Sequence, residues 1–155
     1  MAVELRVHAK FSSRVDRARL ARIARRTLRA ERAPGGAALT IYVTTDTEIR
    51  ALNRKFHATN AATDVLSFPM ERSADKPHPY LGDVVISYER ARVQARPRKR
   101  RGVSEAARWR IADELDLLAV HGILHLLGYD DLTPRGRAKM WKRQEEILGK
   151  VAGAA

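Results

Sequence analysis

Between residues 121 and 131 the chain reads HGILHLLGYDD. His121 and His125 stand four apart, so on a helix both project from one face with Cβ atoms about 5–6 Å apart. That separation suits two imidazoles sharing one metal ion. Gly128 can take the left-handed conformation that ends a helix and turns the chain back. Asp131 then falls on the returning segment, within reach of the same ion. The expected chemistry is that of one divalent cation held by His121, His125 and Asp131, with Asp130 as the nearest substitute for the third ligand.

A histidine pair at this spacing is a weak signal by itself in a chain with five histidines, and buried histidines often only satisfy hydrogen bonds. Here Leu115, Leu117, Leu118, Ile123, Leu124, Leu126 and Leu127 make the surrounding helix apolar nearly all round. A polar pair in such surroundings needs partners. The spacing H-x-x-x-H-x-x-G-x-x-D matches the metzincin protease pattern in its ligand positions and its glycine. Zincins place a glutamate directly after the first histidine as general base. This chain has Gly122 there, which disfavours peptide hydrolysis by that route.

The elements that must position this group follow from periodicity. Leu5 and Val7 suggest a short first strand. Val15, Leu20, Ile23, Ala24 and Leu28 recur at helical spacing between Arg14 and Arg32, and Pro34, Gly35 and Gly36 end that helix. Ala38 to Thr44 alternates as a strand, and Asp46 or Thr47 caps a short helix to about Phe56. Val65, Leu66 and Phe68 form a strand stopped by Pro69, with Ser67 as its polar member. Val84 to Ile86 forms another, entered through Gly82 and Asp83. Tyr88 to Ala95 reads as helical, Ser104 as the cap of a long helix to about Leu127, and Thr133-Pro134 as the start of a last one. Met140, Gln144, Ile147 and Val151 would lie on its inner face, with Met140 in the core. Glu114, seven residues before His121, reads first as an exposed helix acid. The whole predicts one α/β (α+β) domain over residues 1–155, with about four strands in a mixed sheet and the metal site at the C-terminal end of a buried helix.

Composition bounds the partners. Apolar residues make up 45% and charged residues 31%, as in ordinary globular chains. No apolar run approaches the ~20 residues of a membrane span. The first residues, MAVELRVHAKF, hold no signal-peptide apolar region, and there is no cysteine. A soluble cytoplasmic protein is expected. The net charge of +12 favours polyanionic partners, though an arginine-rich proteome would give the same excess. Arg96, Arg98, Lys99, Arg100 and Arg101 cluster around Pro97 and read as a solvated loop, a nucleic-acid contact or a localisation patch. Trp109 and Trp141 both fall within predicted helices, so no platform for stacking single-stranded bases is expected.

Taken together, Leu52-Asn53, the segment Thr63-Asp64-Val65-Leu66-Ser67-Phe68-Pro69, Leu81-Gly82-Asp83, the run from His121 to Asp130, and Met140, Glu145, Ile147 and Leu148 resemble the YbeY family of bacterial endoribonucleases and rRNA maturation factors. The resemblance implies a zincin-like fold, Zn2+ as the metal, and RNA as the substrate. It further implies maturation of the small-subunit ribosomal RNA end and ribosome quality control, with the small subunit as partner. Arg98, Lys99, Arg100 and Arg101 are then the natural RNA contacts, and Asp64, Ser67 and Asp130 would support substrate or ligands. Two positions depart from the family pattern. A third histidine is replaced by Asp131, and an arginine implied to serve RNA cleavage is replaced by His57. His57 could contact phosphate when protonated, act as a general acid or base, or be a loop histidine without a role. A metal-dependent endoribonuclease is therefore expected, with a ribosome-binding assembly factor of weak catalysis and, further off, a metallopeptidase as alternatives.

Overall fold

A computed structural model describes residues 1–57, 63–70, 80–95 and 109–149, without the side chain of His57. In chain order the elements are β1 (Ala2–Val7), a short 3-10 turn (Ala9–Phe11), α1 (Arg17–Ala30), β2 (Ala38–Thr44), α2 (Asp46–His57), β3 (Val65–Pro69), β4 (Tyr80–Ser87), α3 (Tyr88–Ala95), α4 (Ile111–Leu126) and α5 (Pro134–Leu148). The sheet order is β1-β2-β4-β3. β1, β2 and β4 are mutually parallel along the ladder, and β3 runs antiparallel to β4 at the edge. This is the expected four-stranded mixed sheet. No helix among the described residues is long and apolar enough to cross a membrane.

The alternation within the strands assigns the two faces. Leu39, Ile41 and Val43 of β2 and Val84 and Ile86 of β4 bury against Leu20, Ala24 and Leu28 of α1 and Leu115, Leu118 and Ile123 of α4. Residues one step out of phase, Leu66 and Val85, pack on the opposite face with Ile49 of α2. α5 covers the outer side of α4, where Met140, Ile147 and Leu148 meet Leu117, Val120 and Leu124. α4 is thus enclosed by the sheet, α1, α3 and α5. From Glu114 to Leu126 every residue is buried except His121 and His125, which are half-buried.

Several expectations need correction. Glu114 is fully buried, not an exposed acid, because α4 is covered on all sides. α4 begins at Ile111, and Ser104 lies outside the described residues. The start is set by Asp113, whose carboxylate accepts from the Arg110 amide at 2.8 Å. Arg19 of α1 then bridges Asp113 and Asp116 at 2.9 and 2.8 Å. Trp109 consequently precedes the helix. α2 is capped by Thr45, whose hydroxyl accepts from the Glu48 amide at 3.1 Å, and not by Asp46 or Thr47. α1 starts only after Asp16, which accepts from Arg19 N, and β4 extends beyond Val84–Ile86 because it pairs with β2 along its length. Thr133 and Pro134 do open α5. Val151 lies outside the described residues.

The approach of α4 to the sheet depends on Gly122. A Cβ built there would sit 2.4 Å from Val84 Cγ1 and 3.3 Å from Ser67 Oγ. The Ser67 hydroxyl donates to the Gly122 carbonyl at 2.9 Å, tying β3 to the helix at the level of the histidines. Gly122→Ala should therefore cost about 1–3 kcal/mol in urea unfolding, the usual range for an overpacked core. In the double variant with Val84→Ala the loss should be smaller than the sum of the two single losses.

Candidate metal centre

The histidines are aimed by the way α4 ends. Gly128 has φ +102, and the amides of Gly128 and Tyr129 return to the carbonyls of His125 and Leu124 at 3.1 and 3.0 Å. This is a Schellman closure, which requires the left-handed residue that glycine supplies without strain. The turn brings the Tyr129 carbonyl to 3.0 Å from His125 Nδ1. A carbonyl can only accept, so His125 carries its proton on Nδ1 and presents a lone pair at Nε2. Tyr129 is itself held from both sides. Its hydroxyl donates to Glu31 at 2.9 Å, and Arg143 of α5 pairs with the same carboxylate.

Two residues beyond Tyr129 the chain delivers Asp131. Its Oδ2 lies 3.7 Å from Nε2 of both histidines, and the two Nε2 atoms are 3.1 Å apart. All three donor atoms lie within 4.8 Å of one another. Bonds of about 2.0–2.2 Å in a tetrahedral arrangement place ligand atoms about 3.3–3.6 Å apart. The observed triangle brackets that range, and two imidazoles with a carboxylate are a donor set for a divalent transition ion. The group fits a metal with one position open. Burial pushes His121 below the ordinary histidine value. The Gln144 contact opposes this, His125 adds to it, and Asp131 and Asp64 oppose it. The lowered value keeps His121 neutral, the form that can ligate.

The sequence-identified residues divide clearly. His121, His125 and Asp131 converge. Asp130 does not join them; its Oδ1 accepts from the Leu132 amide at 3.1 Å and shapes the loop. Asp64 and Ser67 line the cleft of about 490 Å³ that opens over the three donors, together with Thr63 and Pro69. Met140 is core, as expected. The position that carries the base in zincin proteases is Gly122, which is buried against Val84 and leaves no room for a side chain. The side chain of His57 and all of Arg98, Lys99, Arg100 and Arg101 lie outside the described residues. Sequence reasoning missed Gln144, whose Oε1 stands 2.6 Å from His121 Nδ1. The sequence pattern marks it only as an inner-face residue of the last helix. Its signal was an amide among Met140, Ile147 and Leu148 on an otherwise apolar face.

Asp131→Ala should weaken metal binding by more than the ~10–100-fold that loss of a ligand's hydrogen-bond partner costs. Asp130→Ala should leave the stoichiometry unchanged. Metal analysis of the purified variants after dialysis checks both, and equal retention in the two would remove Asp131 from the ligand set.

The geometry can be set beside known proteins. The family model described as Endoribonuclease YbeY matches residues 6–152. An endoribonuclease YbeY of Chloroflexus aggregans is 42% identical over 142 residues, covering 86% of each chain. That of Roseiflexus castenholzii is 35% identical, covering 96% of this chain and 92% of its own. That of Geobacillus kaustophilus is 40% identical over 77% and 76%. The solution structure of TM1509 from Thermotoga maritima shares the fold, with a TM-score of 0.57 at 22% identity over 94% of this chain and 86% of that one. With the family model spanning nearly the whole chain and relatives this similar over most of their length, the chain belongs to the YbeY endoribonuclease family.

Proposed function

We propose that this chain is a metal-dependent endoribonuclease that cuts single-stranded RNA with Zn2+ held by His121, His125 and Asp131. We place it in the cytoplasm, in maturation of the small-subunit ribosomal RNA end and in ribosome quality control, with the small subunit as partner. The observation that carries the reading is the convergence of three donor atoms at the floor of an open cleft. Membership of an endoribonuclease family supports RNA as the substrate.

When bound, the ion supplies Lewis acidity toward a phosphoryl oxygen or an attacking water. His121 and His125 contribute neutral donors, whereas Asp131 brings a negative charge. That charge lowers the net charge of the loaded site and moderates its acidity relative to three neutral ligands. Asp64 offers a carboxylate on the cleft wall, where it orients substrate. Ser67 keeps β3 fixed to α4 and so fixes the width of the cleft. The +12 net charge draws the phosphate backbone without regard to sequence, with Arg98, Lys99, Arg100 and Arg101 as proposed contacts. Selection of one RNA end then falls to the ribosomal partner. His57 stands where the family pattern has arginine and contacts phosphate in its protonated fraction.

His121→Ala should abolish metal-dependent cleavage of a single-stranded RNA oligonucleotide while the circular dichroism spectrum is kept. Equal cleavage by variant and parent would assign the activity to a contaminating nuclease. The double change His57→Arg with Asp131→His should raise the cleavage rate. A sharp rise from near-background cleavage would favour a ribosome-binding role with little catalysis in the parent, and no change would count against that alternative.

A further inference from the structure

We propose that Gln144 is the positioning residue that sets the tautomer of His121 and thereby makes its Nε2 a metal donor; this rests on the metal reading above. A neutral imidazole has one N–H and one lone pair, and whichever atom faces one nitrogen decides the other. For His125 the decision is made by the backbone, through the Tyr129 carbonyl. His121 Nδ1 meets a side chain instead, Gln144 Oε1, at 2.6 Å.

An amide is ambivalent where a carbonyl is not. With its oxygen toward His121, Gln144 accepts from Nδ1–H and leaves the Nε2 lone pair facing the ligand triangle. With its nitrogen there, it would donate to Nδ1 and force the proton onto Nε2. An N–H would then point at His125 Nε2, 3.1 Å away, where a ligand lone pair is needed. Gln144 is 1% exposed, so the contact is shielded from solvent. Its Nε2 has no hydrogen-bond partner among the described residues. The bond to His121 is thus the one hydrogen bond that this buried amide makes among the described residues. Amide and imidazole are therefore fixed as a pair, and the arrangement with Oε1 on Nδ1–H is the one that leaves Nε2 free to ligate. The amide is also neutral. With Asp131 already anionic, a neutral partner leaves the loaded site positive, whereas a carboxylate at 144 would strengthen His121 as a donor.

The test uses the full chain labelled with 15N-histidine. Zn2+ affinity is measured by competition with a chromophoric chelator, and the imidazole N–H signals are recorded on the Zn2+-loaded protein. The parent should show Nδ1–H signals from both histidines. Gln144→Leu, and Gln144→Met, which keeps the side-chain length, should lower Zn2+ affinity about 10–100-fold. In both, the His121 Nδ1–H signal should be lost to exchange while that of His125 remains. Gln144→Glu should restore both affinity and signal. Unchanged affinity with both signals intact in the apolar variants overturns the proposal. So does a loss that Gln144→Glu fails to restore, which would mean that Gln144 only fills the core. A parent that takes up no Zn2+ overturns the metal reading itself, and this inference with it.

Discussion

The close contact between Gly122 and Val84 governs where the imidazoles stand. It lets α4 settle onto β4 at a distance that any larger side chain would forbid. The helix then has no free face, because α1, α3 and α5 close the remaining sides. Two half-buried histidines are what is left open along its last three turns. Removing a polar side chain from water costs several kcal/mol unless it finds partners (about 2–7 kcal/mol, depending on the reference). Each histidine has such a partner on Nδ1, and both turn Nε2 toward Asp131.

The loop after α4 is equally constrained, by different means. A left-handed glycine reverses the chain, and the Glu31–Tyr129–Arg143 cluster ties the reversed segment to α1 and α5. Gly136 adds a further restraint, since a Cβ there would meet the Asp130 carbonyl at 2.5 Å. The first turn of α5 thus packs directly on the residue before Asp131. The carboxylate is held by a small loop braced from three helices, although its own side chain is 42% exposed. Such bracing is what a preorganised ligand set requires.

Much of this was legible along the chain, because it is local. The run HGILHLLGYDD contains the end of its own helix, its own terminating glycine and the third donor of the group. The strands announced themselves by alternation, and α5 by Thr133-Pro134. What was not legible depends on elements far apart in sequence. Glu114 reads as a surface acid until α4 is seen to be enclosed. Gln144 is 23 residues from His121, and nothing in its local pattern names its partner. Ser104 is a good cap by type, but α4 starts at Ile111, where Asp113 serves the Arg110 amide from within the helix. The exclusion of a zincin-type base was readable from Gly122 as an absence. Only its packing on Val84 gives the reason.

The two departures from the family pattern bear differently on this account. The side chain of His57 lies outside the described residues, whereas Asp131 is one corner of the donor triangle itself. The most direct measurement is X-ray absorption spectroscopy of the metal-loaded protein. Two imidazole nitrogens at about 2.0–2.1 Å, with their multiple-scattering signature, and a carboxylate oxygen at about 2.0–2.2 Å are predicted. A shell of oxygens without imidazole scattering would contradict it.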